Sequence, residues 1–230
     1  MNLFTDPRLK NAGLLGGTAP RTCGNMADLR NQNALYTQLG ITPENIVHFH
    51  QIHSAKIVTI TCEKEARSLS PLTDADAWVF SPAVSGLGAA ILTADCTPLF
   101  VWNEDGSAWA LAHCGWRGVV QNLPYKTIQA LKQTGAKGPF YAWAGPHIEA
   151  CCFEVQEDVS SQFPATCLEI RNDKKYINLN TEIRAKLQQG GLKSEDILFD
   201  GHCTCCNENH FFSWRRDHVR NLLLSFIYKL

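Results

Sequence analysis

Hydrophobic and polar positions divide the chain into short strand-like runs separated by stretches with helical spacing. Asp28 to Leu39 predicts a short helix stopped by Gly40. Asn45 to Ile60, rich in Ile, Val and Phe, predicts one or two strands. Trp78 to Phe80 reads as a short strand and Gly88 to Thr93 as a buried one. Leu99 to Trp102 and Ser107 to Leu111 flank Asn103-Glu104-Asp105-Gly106, and the Asp-Gly pair predicts a hairpin because both residues tolerate positive φ. Leu123 to Thr134 predicts a helix with Pro124 in its first turn and Gly135 as its stop. A strand follows at Phe140 to Ala144, ended by Gly145-Pro146, then a short helix over Glu157 to Phe163. Asn180 to Gln189 predicts a helix capped by Asn180 or Thr181 and ended by Gly190-Gly191. Strands return at Phe211 to Trp214 and Leu222 to Tyr228. Strands and helices interleave without strict βαβ alternation around a central hairpin. The expected class is therefore α+β, with mixed sheets flanked by helices in a single domain over residues 1–230.

Composition narrows the function. Of 230 residues, 45% are hydrophobic and 19% charged, enough to bury a core and too apolar for a disordered chain. Lys and Arg number 21 against 22 Asp and Glu, and no basic run exceeds two residues, which argues against nucleic acid as a partner. The first thirty residues carry no apolar leader core, and no apolar stretch approaches the ~20 residues of a membrane helix. A soluble cytoplasmic protein with no membrane partner is expected. In that compartment the ten cysteines read as reduced thiols, some of them ligands or nucleophiles.

Reactive side chains concentrate at strand ends, where a rigid scaffold presents functional groups. Gln51 and His53 share one face of the predicted strand, while His48 and His50 point to the other and read as ordinary histidines. Cys96 follows a buried strand, and His113 ends the second arm of the hairpin that starts just after it, so the two should lie side by side. Adding His53 gives two imidazoles and a thiolate, a set suited to zinc with one coordination position open. A buried structural cysteine with two hydrogen-bonded histidines accounts for the same residues equally well. Arg117, within Gly115-Trp116-Arg117-Gly118, stands where an anion could approach a glycine-lined backbone, though a solvated arginine in a tight turn is the simpler alternative. Cys203-Thr204-Cys205-Cys206 contains one C-x-x-C without a matching second pair, a weak metal signal. Cys23, Cys62, Cys151, Cys152 and Cys167 read as buried thiols, and the six tryptophans as core and pocket wall. No phosphate loop, nucleophile elbow or nucleobase-deaminase zinc motif occurs.

The segments Gln51-x-His53-Ser54, Thr93-Ala94-Asp95-Cys96-x-Pro98, Ala112-His113-x-Gly115-Trp116-Arg117-Gly118, Gly145-Pro146-x-Ile148 with Phe153-Glu154-Val155, Cys203-Thr204, and Phe211 to Asp217 occur together in one order. In that order they resemble the laccase-domain family, also called polyphenol-oxidase-like or YfiH-type, whose members are regarded as purine nucleoside phosphorylases. The resemblance spans about Asn45 to Asp217. It implies a four-layer α/β/β/α fold shared with a class of cysteine hydrolases, and metal ligands at His53, Cys96 and His113. It also implies phosphorolysis of adenosine, inosine or guanosine, methylthioadenosine cleavage and, in some members, adenosine deamination. Zinc is the implied cofactor, copper the weaker candidate, and a purine nucleoside and phosphate the implied partners. On this reading Arg117, Asp95 and Gln51 take part in catalysis, with Asp95 as the candidate proton donor, and Arg117, Arg215 and Gly118 contact substrate. Departures are Cys114 for the usual Ala, Trp214 for the usual Tyr, Pro124 within a normally helical stretch, and His218-Val219-Arg220 after the Arg-Arg-Asp segment.

Three rivals remain at this point. A copper polyphenol oxidase would need many paired histidines, and this chain has eight His and one H-x-H pair. A cysteine hydrolase acting on a peptidoglycan precursor would use Cys96 as nucleophile and His113 as base. A structural zinc domain would close its site with a fourth ligand such as Cys114.

Overall fold

The computed structural model describes residues 2–230, so residue 1 of the expected domain lies outside the described residues. Two sheets stack face to face. One has four strands in the order β1 (Leu14–Thr18), β13 (Leu223–Lys229), β5 (Gly88–Thr93) and β2 (Ile46–Val47). The other has six: β12 (Ile197–Phe199), β8 (Phe140–Ala144), β6 (Thr97–Asn103), β7 (Trp109–Cys114), β4 (Ala77–Phe80) and β3 (Ile57–Ile60). Parallel and antiparallel pairs occur in both. A small antiparallel sheet of β10 (Leu168–Arg171), β11 (Lys174–Ile177) and β9 (Glu154–Val155) stands apart.

Strand alternation explains the layering. Along β4, β6 and β7 the large residues Trp78, Phe80, Phe100, Trp102, Trp109 and Leu111 point one way, into the space between the sheets. Phe80 and Trp109 stack there at 3.9 Å. The intervening Ala77, Val79, Leu99, Val101, Ala110 and Ala112 point the other way and are small enough to admit helices. Leu123, Ile128 and Leu131 of α5 (Leu123–Gln133) and Ile183 and Leu187 of α7 (Leu179–Gln189) fill that face. Across the four-stranded sheet, Ala90, Leu224 and Phe226 pack against Leu35 and Tyr36 of α2 (Leu29–Gln38). The layers are helix, sheet, sheet, helix, as the resemblance implies.

Shorter helices complete the chain: α1 (Pro7–Asn11), α3 (Glu63–Ser68), α4 (Trp116–Val120), α6 (Glu157–Ser160) and α8 (Trp214–Asp217). Most predicted elements stand near expectation, although the helix expected over Glu157 to Phe163 stops at Ser160 and the second hairpin arm runs on to Cys114; three further features differ. Asn178, not Asn180 or Thr181, caps α7, its side chain accepting from the Thr181 N–H at 3.3 Å. Phe211 to Trp214 is no strand. Ser213 caps α8 by accepting from Arg216 N–H, while Phe211 and Phe212 are buried beside Leu223. Residues 48–54 leave the ladder after β2, so face alternation does not govern His48 to His53. Among the described residues no helix is long and apolar enough to cross a membrane.

Candidate functional site

His53 sits in the loop between β2 and β3, with a φ of 57° in the left-handed region. Asp76, buried at the entrance to β4, stabilises that conformation. Its Oδ1 accepts the His53 N–H at 3.0 Å, and its Oδ2 accepts the Ser54 N–H at 2.6 Å and hydroxyl at 2.8 Å. The same Oδ1 lies 2.9 Å from Nδ1 of His113. One carboxylate thus fixes the backbone of one histidine and the ring of the other, turning His113 Nε2 toward the site. Asp76 is the residue that the sequence reading missed. Its signal was an acid immediately before the apolar run Ala77-Trp78-Val79-Phe80, where burial demands a partner.

Cys96 lies just off the β6–β7 ladder, where Pro98 pairs with His113. The Cys96 sulfur and one nitrogen each of His53 and His113 are within 4.8 Å of one another, and the two rings meet edge to face at 4.7 Å. Burial pushes the Cys96 thiol up, but His113 and then His53 outweigh it and bring it down to about 6. Burial also disfavours the His113 imidazolium, yet the Cys96 thiolate and Asp76 raise it to about 9. Burial pushes Asp76 up too, and the bonds from His113 and Ser54 bring it down to about 2. The result is a preformed thiolate with two converging imidazoles, a donor set that fits zinc or a similar borderline-soft cation. Gly115 makes room for it. A Cβ there would stand 3.1 Å from the Cys96 sulfur and 3.2 Å from His53 Cδ2. Cys114 faces the helix side, wholly buried, with its thiol held well above its ordinary value by burial and nearby negative charge. It cannot close the site as a fourth ligand.

Two pockets, of about 440 and about 400 Å³, meet at this cluster and share His53, Ala94, Cys96 and Trp214. The first also has Asp95, Arg117, Phe153 and Arg215 in its wall, and the second Gln51, Thr93, His113 and Arg220. Arg117 is exposed and lies over Trp116 at 4.3 Å. Arg215 is held from behind by the carbonyls of Cys152 at 3.1 Å and Glu154 at 2.8 Å. Of the tryptophans, Trp78, Trp102, Trp109 and Trp143 are core, whereas Trp116 and Trp214 line the cleft.

Three of the expected participants also have structural contacts of their own. Both oxygens of Asp95 accept hydrogen bonds, from Thr204 Oγ1 at 2.6 Å and Arg215 N–H at 2.7 Å, so it braces two loops at the pocket wall. The Gln51 amide is engaged at both ends by the Leu92 main chain, at 2.8 Å each, tying the His53 loop to β5. Gly118 lines neither pocket; a Cβ there would meet the Ser54 carbonyl at 2.9 Å, so the glycine seats α4 against the His53 loop. Nor are the other cysteines uniformly buried: Cys62 and Cys151 are exposed, and Cys23 and Cys152 intermediate.

Known proteins resemble this chain in fold and in sequence. YlmD from Geobacillus stearothermophilus superposes with a TM-score of 0.86 at 23% identity, over 97% of this chain and 94% of that one, which establishes the fold. A purine nucleoside phosphorylase of Xylella fastidiosa (strain 9a5c) is 32% identical over 93% of this chain and 81% of its own length. The purine nucleoside phosphorylase YfiH of Escherichia coli (strain K12) is 30% identical over 90% of this chain and 83% of its own. A protein from an unknown prokaryotic organism, named adenosine deaminase RL5, is 29% identical over 79% of this chain and 74% of its own. With residues 25–228 matched by its sequence profile, the chain belongs to the family described as multi-copper polyphenol oxidoreductase laccase.

Proposed function

We propose that this chain is a zinc-dependent purine nucleoside phosphorylase, cleaving adenosine, inosine, guanosine or methylthioadenosine with phosphate. The observation that carries the reading is the junction itself: three donors able to hold a metal, opening onto two lobes, one of them holding two arginines. The names of the relatives supply the reaction class. Arg117 and Arg215 would bind phosphate through charge-assisted hydrogen bonds. The half-exposed indole of Trp214, common to both lobes, offers a face for the purine. A phosphate oxygen then bonds to ribose C1′ as the C1′–N9 bond breaks, its electron pair leaving with the base, which takes up a proton. Bound zinc would supply Lewis-acid stabilisation of anionic groups at this junction. Asp76 keeps both histidines oriented, and Asp95 with Thr204 keeps Arg215 beside the pocket. Adenosine deamination at the same cleft is the companion activity suggested by one relative's name.

The experiment incubates metal-quantified protein with adenosine, with and without phosphate, and identifies products by mass spectrometry. Adenine and ribose 1-phosphate should form only with phosphate and vanish in His113→Ala; inosine would add deamination. A zinc-loaded sample inert toward adenosine, inosine and guanosine would overturn the proposal. One observation favours a second reading: a lowered Cys96 thiol beside the His113 imidazolium is also what a cysteine hydrolase needs. Hydrolysis of a peptidoglycan precursor that survives rigorous metal removal and is lost in Cys96→Ala would select it. Copper oxidation draws less support, because His50 pairs with Asp74 at 2.9 Å and His48 lies by Tyr36, both outside the cluster.

A further inference from the structure

A second group of potential ligands lies in the loops that frame the arginine-lined lobe. Cys151, Cys152, Cys203 and Cys206 bring four sulfurs within 4.8 Å of one another. The C-x-x-C of Cys203 and Cys206 finds its missing partner pair in Cys151-Cys152, about fifty residues earlier in the chain. Cys206 sulfur is 3.5 Å from that of Cys151 and 3.3 Å from that of Cys152. Four thiolates around one tetrahedral zinc, each about 2.3 Å from the metal, would stand about 3.8 Å apart. The sulfurs are thus already near the spacing that a metal would impose. The Cys203 sulfur also accepts the Glu149 N–H at 3.5 Å, a main-chain bond of the kind that fixes a metal thiolate from behind.

We propose that these four cysteines form a second, closed metal site of the zinc class, distinct from the His53–Cys96–His113 cluster. Its donors are all thiolate and number four, so it has no position for substrate and serves as a structural centre. Its place in the fold says what it would hold. Cys152 and Glu154 offer the carbonyls that back Arg215, and Thr204 and Cys205 offer carbonyls to Arg216 at 3.0 Å each. Thr204 also grips Asp95. A metal here would join the loop of residues 150–153 to that of 203–206, and so fix the wall of the arginine-lined lobe.

Metal content of protein purified under reducing conditions tests the site. Wild type should carry two zinc equivalents per chain. Cys206→Ser and Cys151→Ser should each carry one, Cys96→Ser one, and Cys96→Ser/Cys206→Ser none. Cys205→Ser, outside the cluster, should keep two. Cobalt substitution reads the ligand set without relying on stability: Cys96→Ser loaded with cobalt should show the intense thiolate-to-metal charge-transfer band and tetrahedral visible bands of a four-sulfur site. Cys206→His, which retains a donor, should rebind cobalt with a weakened charge-transfer band. One zinc equivalent in wild type, unchanged in Cys206→Ser, would overturn the proposal. So would a cobalt-loaded Cys96→Ser protein without thiolate charge transfer, or a disulfide between Cys206 and Cys151 or Cys152 in the reduced preparation.

Discussion

At the scale of single residues, Asp76 decides whether the cluster exists. It is 1% exposed and bonded to His53, Ser54 and His113, so its removal loosens two ligands at once. Asp76→Asn should weaken metal binding about 10- to 100-fold, measured by competition with a chromophoric chelator. Wild-type affinity in that variant would refute the positioning role. The same carboxylate makes the metal-free fold acid-sensitive. Its folded pKa of about 2 lies below the ordinary 3.8. Its stabilisation is therefore complete above that ordinary value and lost as pH falls through about 2. In urea titrations, the stability difference between wild type and Asp76→Asn should shrink across that interval. Metal uptake carries a second pH signature. Near neutral pH, Cys96 with its pKa lowered to about 6 is already thiolate, while His113 raised to about 9 still holds its proton. Binding should release about one proton per metal near pH 7.5, falling toward zero well above pH 9. Calorimetry in buffers of different ionisation enthalpy would count it.

At the scale of elements, the turn from β7 into α4 is where the backbone meets the His53–Cys96–His113 cluster. Gly115→Ala should displace Cys96 and His53 by a few tenths of an ångström, because a methyl group would sit at 3.1 and 3.2 Å from them. Metal affinity should fall at least tenfold with little change in melting temperature of the apo protein. An unchanged affinity would show that the triad can yield. This is also the scale at which the sequence was most legible. Hairpin spacing put Cys96 beside His113 because an antiparallel ladder returns the chain to its starting end. Alternation failed around Gln51 and His53, since those residues follow a loop pinned by Asp76 and Leu92, and side-chain anchors of that kind leave no periodic trace. Phe211 to Trp214 misled for a related reason. Two buried aromatics mimic a strand, while Ser213 starts a helix through a cap that only its neighbours reveal. Cys151 and Cys152 gave no sequence sign of meeting Cys203 and Cys206, because tertiary folding alone brings the pairs together.

At the scale of the whole molecule, the layer between the sheets carries the bulk. Trp109 is 1% exposed and stacked on Phe80, so Trp109→Ala should cost about 3–5 kcal/mol, read as a shift in denaturant midpoint. A cost under about 1 kcal/mol would mean that the two sheets collapse onto the space left behind. The path of the chain between these sheets adds a constraint. His53 lies on the crossing from β2 in one sheet to β3 in the other, and Cys96 on the crossing from β5 to β6, while His113 ends β7 in the second sheet. The triad is a rivet at the two seams where the sheets are stitched together. Sliding one sheet over the other would pull it apart, so a metal bound there would lock the two sheets in register. Hydrogen exchange should find metal loading slowing the amides of β5, β6 and β7 together, across both sheets, as a single mechanical unit.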